Sequence, residues 1–209
     1  MLTRQALWVP VAKHNPAFVE RLHGFLQNNP FTSLNVAAVG LKLEDIRVAL
    51  EPDARDPNKM ITPLMAFPVQ VSATACDCVL DHQQKDQQPQ LNLGFATAIC
   101  DSFNTFHVME RLLPALNMHV SINIESHCMR NLREGEKFVV VSTIDKIGKR
   151  IAYCKANFLV EPTDPVPTEV IQRERNIKTL AELQKALMNY ENTFSVAHVK
   201  SIISERKPK

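Results

Sequence analysis

Two positions combine residue type and spacing in a way that could do chemistry: Gly94 and, seven residues on, Asp101. A glycine where a helix begins leaves its first backbone N–H groups open to close approach. Together with the positive end of the helix dipole, these can receive an oxyanion as it develops. An aspartate two turns along can take a proton from water. Each has a plainer reading, in which Gly94 only eases a loop into the helix and Asp101 is solvated. Against the plain reading of Asp101, Cys100 precedes it, Ser102 follows it, and the helix is nearly free of charge until Glu110. On a helical wheel with Phe95 at zero, the apolar residues 95, 99, 103, 106, 109 and 113 centre at about 20°. Asp101 falls at about 240°, with Thr97, Asn104, Thr105 and Val108, off the face that the chain's own sheet should bury. His107 and His127 read as ordinary polar or half-buried residues.

The element that carries both positions is a helix over residues 94–113, stopped or kinked by Pro114. Strands are expected on either side of it. Upstream, 60–67 and 69–80 are rich in β-formers, with Pro68 between them marking a turn or bulge. Downstream, three runs at 119–126, 137–145 and 150–160 are joined by turns at Gly135 and Gly148. The polar stretch 81–90, with Asp86 in it, is a loop. This order predicts an α+β domain over 58–161, an antiparallel sheet wrapped around one long helix. Five strands leave a sheet edge and a helix face uncovered, so a dimer or a larger homo-oligomer is expected.

The flanks differ. Residues 1–57 read as an N-terminal extension, partly helical, with an amphipathic helix at 17–28 and a loop at 52–58. Residues 162–209 read as a proline-rich linker and a helical tail over 169–205, able to dock on the domain or on a protein partner. The first acidic residue is Glu20. An acid-free start with Arg4, Lys13 and several apolar residues suits either a mitochondrial presequence or a solvated arm, so mitochondrion and cytoplasm both stay open.

Composition narrows the function classes. A formal net charge of +2 gives no case for nucleic acid or an anionic membrane as partner. No apolar run approaches the roughly 18–20 residues needed to span a bilayer. The five cysteines (76, 78, 100, 128 and 154) are scattered among apolar residues, without the pairing of a disulfide framework or the spacing of a zinc site, so no metal is expected.

The stretch Asn92-Leu-Gly94-Phe-Ala-Thr-Ala-Ile-Cys-Asp101-Ser resembles the helix start of hotdog-fold acyl-CoA thioesterases of the phenylacetyl-CoA-thioesterase-like branch. Further similarity runs through Val120-Ser121-Ile-Asn-Ile124, through Met129-Arg-Asn-Leu-Arg-Glu-Gly135-Glu and through Ile147-Gly-Lys-Arg-Ile-Ala-Tyr153, with Ile61 to Val71 similar to the first strand pair. About half of the chain is covered. The resemblance implies a hotdog fold and hydrolysis of acyl-CoA to free acid and coenzyme A, with no separate cofactor because coenzyme A is part of the substrate. It gives Asp101 the role of activating or replacing the attacking water. The backbone N–H of Leu93 or Gly94 becomes the oxyanion donor, and Ser121 a polar residue that helps hold water. It also implies that the aspartate and the oxyanion donor come from different subunits of a homodimer or homotetramer. Arg130, Arg133, Lys149 and Arg150 are implied contacts for coenzyme A phosphates. The family's His-Gly-Gly reads Asn92-Leu93-Gly94 here. Asparagine can still donate to a carbonyl, whereas Leu93 adds a side chain where close backbone approach is wanted. The alternative is therefore a hotdog module without catalysis, acting as a structural or docking subunit. A hotdog dehydratase would need a His–carboxylate dyad at the helix start, which the sequence lacks.

Overall fold

The long helix α4 (Leu93–Leu112) packs its aromatic stripe onto a sheet, as its periodicity requires. Phe103 stacks on Phe67 with ring centroids 4.3 Å apart, and Phe106 meets Phe25 edge to face at 6.2 Å. Around it, the computed structural model describes residues 7–77, 88–115, 118–160 and 176–203. In chain order these form β1 (Trp8–Pro10), α1 (Val11–His14), α2 (Pro16–Asn28), α3 (Pro30–Ala38), β2 (Arg47–Asp53), β3 (Asp56–Gln70), α4, β4 (Met118–Cys128), β5 (Lys137–Ile147), β6 (Ile151–Val160), α5 (Leu180–Leu187) and β7 (Glu191–Ile203). The seven strands make one sheet in the order β1-β2-β3-β5-β6-β7-β4, and every neighbouring pair is antiparallel.

Both faces of the sheet's middle are covered. On one face Phe67, Phe138, Val140 and Phe158 join the α4 core, with α2 and α3 beyond it. On the other, Leu64, Ala66, Val139, Val141 and Leu159 pack with Trp8 and with Leu183, Ala186 and Leu187 of α5. A strand buried on both faces cannot alternate polar with apolar, which is why β5 reads as the unbroken run Phe138-Val-Val-Val141.

Several sequence expectations need correction. Pro68 marks neither turn nor bulge: β3 runs unbroken from Asp56 to Gln70, with Pro68 opposite Val139. β2 pairs with β3 only as far as Ala66, so β3 has a single strand neighbour at Pro68 and the missing N–H is tolerated. Residues 73–75 form a short 3-10 turn rather than continuing a strand. The 52–58 loop is the tight turn of the β2–β3 hairpin, where Asp53 pairs with Asp56. The N-terminal segment is not a free arm from Trp8 on, because Trp8 pairs with Ala49 and the side chains of Val11 and Phe18 are buried.

The largest correction concerns the C-terminal tail. Among the described residues its helix is α5, opened by a reciprocal capping box between Thr179 and Glu182. Residues 191–203 are strand β7, inserted between β6 and β4. Inward-facing Phe194, Val196, His198, Lys200 and Ile202 alternate with more exposed neighbours, so period two prevails over the helical grouping of Val196, Val199, Ile202 and Ile203. The sheet thus draws on residues both before and after 58–161. Cys78, Asp86, residues 1–6 and the linker 162–168 lie outside the described residues.

Candidate active site

The start of α4 is built around Asn92. Its side-chain Oδ1 accepts from the Phe95 N–H at 2.8 Å, a side-chain N-cap, and its Nδ2 donates to Asp77 Oδ1. A Cβ added at Gly94 would lie 3.1 Å from Asn92 Oδ1, so this position stays bare for the cap as well as for any ligand. The N–H groups of Leu93 and Gly94 belong to the first helical turn, which has no intrahelical acceptors. The Leu93 side chain is 43% exposed beside them. The 130–136 turn holds this entrance through Leu91 N–H donating to Leu132 O at 2.7 Å and Glu134 N–H donating to Pro89 O at 2.9 Å.

Asp101, two turns on, faces β4 and β7. Its Oδ1 accepts from Ser121 Oγ at 2.7 Å and from Lys200 Nζ at 2.8 Å, and His198 Nε2 stands 3.5 Å away. Lys200 also donates to Thr105 Oγ1 at 2.8 Å and Ser121 Oγ at 3.1 Å, so its three hydrogens have three acceptors although the residue is only 1% exposed. Among the described residues none donates to Asp101 Oδ2. Burial pushes the Asp101 carboxyl up, but the Lys200 ammonium and the Lys200 and Ser121 hydrogen bonds outweigh it and hold the group below the usual aspartate value. Burial lowers Lys200 despite its carboxylate partner. His198 is pushed down to about 4 by burial and by the charge of Lys200. His119 is also lowered to about 4, by burial and then by Lys200 and Arg21. Asp101, Ser121, Lys200 and His119 line a cavity of about 540 Å³, with Phe25 and Met109 among its apolar walls. The arrangement is an ionised carboxylate and a hydroxyl side by side in a cleft, able to bind and deprotonate water.

The sequence-predicted residues separate into two groups. Seven helical residues place Asp101 about 10 Å along the axis from Gly94 and on nearly the same face. Arg130 and Arg133 sit at the Gly94 end. The Lys149–Arg150 turn sits at the Asp101 end, where Arg150 O accepts from Ile202 N–H at 2.7 Å. The two pairs of basic residues therefore flank opposite ends of β5, about 30 Å apart at a strand's rise. Arg130 is engaged by Glu136 and Glu191 at 3.1 and 2.8 Å, and those hydrogen bonds raise its pKa further. Lys149 and Arg150 are exposed.

Sequence reasoning missed Lys200 and His198, and the buried chain behind them. Asn104 Nδ2 lies 3.3 Å from His198 Nδ1, and Ser142 Oγ lies 2.6 Å from Asn104 Oδ1 and 2.9 Å from His107 Nδ1. His107 Nε2 lies 2.8 Å from Thr62 O, and Thr62 Oγ1 donates to the buried Glu110. His107 is not half-buried but wholly enclosed, and burial pushes it down to about 3. The alternation along 194–202 lies in burial, not in hydrophobicity, because His198 and Lys200 take inward-facing places, so the sequence offered no clear signal for these two β7 residues.

No family model and no curated protein matches the sequence. Among solved structures, the chain is similar to the Escherichia coli PaaI protein from the phenylacetic acid degradation operon, at TM-score 0.52 and 9% identity over 90% of this chain and 95% of that one. A mutant thioesterase of Pseudomonas aeruginosa matches with TM-score 0.52 and 8% identity over 88% of this chain and 93% of that one. Thioesterase superfamily member 2 of Mus musculus matches with TM-score 0.48 and 14% identity over 88% and 96%. At such identities the likeness is one of fold. The chain is an α+β hotdog, and thioesterases are among its structural neighbours.

Proposed function

We propose that this protein hydrolyses acyl-CoA thioesters to free acid and coenzyme A, in a site shared between two copies of the chain. The observation that carries the reading is the ionised Asp101 with Ser121 on its Oδ1, set in a cleft of about 540 Å³. A water held there loses a proton to Asp101 as its oxygen attacks the thioester carbonyl carbon. The carbonyl oxygen becomes an oxyanion, and backbone N–H groups of Leu93 and Gly94 can stabilise it. Collapse of the tetrahedral intermediate expels the thiolate of coenzyme A, which takes back the proton from Asp101. The reaction needs no added cofactor.

The two halves of the site are proposed to come from two protomers, because Asp101 and the helix start of one chain stand about 10 Å apart along the axis of α4. β4 is an edge strand with exposed Met118, Val120 and Ile122. Along it, Ser121 lies at Asp101, while Ser126 Oγ lies 3.4 Å from Thr97 Oγ1, one turn from the helix start. A two-fold axis near the middle of β4 would place Ser121 of one protomer beside the 126 end of the other. Asp101 would then meet Gly94 of the partner subunit, and the Lys149–Arg150 turn would approach the other protomer's Arg133.

The test is hydrolysis of short-, medium- and long-chain acyl-CoA by the wild type and by Asp101→Asn. A fall of about a hundredfold or more is expected for the variant, and an unchanged rate overturns the role of Asp101. One observation favours the second reading, a docking module without catalysis: the Asn92 amide accepts from Phe95 N–H and gives one of its two hydrogens to Asp77, which fixes it in the N-cap rather than turning it toward a substrate. Wild type inert on every thioester of the panel would select that reading.

A further inference from the structure

Asp101 is held by one of its two oxygens. An ionised carboxylate offers about four acceptor sites, two on each oxygen. Those on Oδ1 are taken by Ser121 Oγ at 2.7 Å and Lys200 Nζ at 2.8 Å, with His198 Nε2 also 3.5 Å from that oxygen. Among the described residues nothing donates to Oδ2. Asp101 lines the cavity and 41% of its side chain reaches solvent, so the open sites on Oδ2 are the ones left for a water.

The anchor is itself fully committed. The Lys200 side chain is 2% exposed, and its three ammonium hydrogens go to Asp101 Oδ1, to Thr105 Oγ1 at 2.8 Å and to Ser121 Oγ at 3.1 Å. A turn of this ammonium away from any of the three would strand a hydrogen in the interior. Thr105 lies one turn along α4 from Asp101, and Ser121 lies on β4, so Lys200 of β7 ties three elements together at the carboxylate. Ser121 Oγ gives its hydrogen to Asp101, receives one from Lys200, and has His198 Nε2 at 2.9 Å in its remaining direction. Its place is to orient the carboxylate rather than a water.

An anchor that acted through charge alone would work against the reaction. Burial pushes the Asp101 carboxyl up, and Lys200 pulls it back below its ordinary value. A lower pKa makes a weaker base. Placement is the larger effect, since a misplacement of about 1 Å can cost about a hundredfold in rate.

We propose that Lys200 is a positioning residue that pins Asp101 through Oδ1, so that Oδ2 is the atom that takes the proton of the attacking water. The chemical half of this rests on the thioesterase reading; the pinning does not. As the water oxygen bonds to the thioester carbonyl carbon, one of its O–H bonds breaks and the proton passes to Oδ2. The carbonyl π pair moves onto the carbonyl oxygen, and Oδ1 keeps its two donors throughout.

Lys200→Met in the full chain removes the charge and the hydrogen bonds at little cost in side-chain volume. Rates on the acyl-CoA panel at pH 7 separate placement from charge, because the two have opposite signs. The expected result is a kcat lowered about tenfold, on the scale of lost supporting hydrogen bonds, with KM little changed. A kcat that holds or rises, as the stronger base alone would give, overturns the proposal. Thr105→Val takes one acceptor from the ammonium and keeps its charge; it should lower kcat by less, and no fall overturns the proposal as well. The proton couplings between Asp101 Hα and its two Hβ atoms read the pinning without any substrate. Wild type should show one χ1 rotamer and Lys200→Met an average over several. An average in wild type, or the same single rotamer in Lys200→Met, overturns the pinning. Wild type inert on every acyl-CoA would remove the thioesterase reading, while the couplings would still decide the pinning.

Discussion

Lys200 and Asp101 form an ion pair of unequal partners: Lys200 is 1% exposed, whereas 41% of the Asp101 side chain reaches solvent. Removing the lysine leaves a carboxylate that water can solvate. Removing the aspartate leaves a buried ammonium with only the Thr105 and Ser121 hydroxyls. Asp101→Ala should therefore cost on the order of 3 kcal/mol of folding stability at pH 7, and Lys200→Met distinctly less. The loss has a pH signature. Burial already holds folded Lys200 below its ordinary 10.5, and loss of its partner lowers it further. Between the folded pKa and 10.5 the unfolded chain binds more protons, so stability rises with pH there by up to about 1.4 kcal/mol per unit. That window is wider in the variant, and wild type and variant should converge as pH rises toward 10.5. Urea unfolding of both from pH 7 to 10 measures this, and a deficit that stays constant contradicts it.

At the scale of elements, β4 decides the assembly. Among the described residues its outer edge has no strand neighbour, and Ile122 sits 59% exposed at a register shift between Ser121 and Asn123. Ile122→Lys would bring two like charges together across a two-fold axis through this strand. The expected outcome is a monomer by light scattering with a nearly unchanged melting temperature, since the side chain touches no core. A dimer that survives would place the interface elsewhere. Local periodicity made the central elements legible: the α4 stripe located that helix to within a residue at each end, and β4, β5 and β6 lie within two residues of their expected limits. β7 was not legible, because a hydrophobicity pattern counts His198 and Lys200 as outward-facing and so hides the alternation they belong to. The candidate site was half legible for the same reason. Asp101 stands out by its place in the helix and Ser121 through the resemblance, but Lys200 lies 99 residues from Asp101, and only the sheet brings them together.

For the whole molecule, two buried histidines and one half-buried histidine set the response to acid. His107 sits on α4, His119 on β4 and His198 on β7. Burial holds them at about 3, 4 and 4 against an ordinary value of 6.5. All three are neutral in the fold at pH 5, whereas in the unfolded chain they are charged. The unfolded state therefore binds more protons, and the stability these groups contribute is complete above about 6.5 and lost as pH falls toward 4. Three protons correspond to a slope of up to about 4 kcal/mol per pH unit, enough to exhaust an ordinary domain's stability within a few units. Asp101, held below 3.8 in the fold, adds its own loss only under more acid conditions. The chain should therefore unfold between pH 6 and 4, before its carboxylates titrate, rather than near pH 3. Chemical denaturation midpoints from pH 8 to 4 check this. A flat profile down to pH 4.5 would mean that the three histidines are solvated or charged in the folded chain, and the buried arrangement around Asn104 would fall with that result.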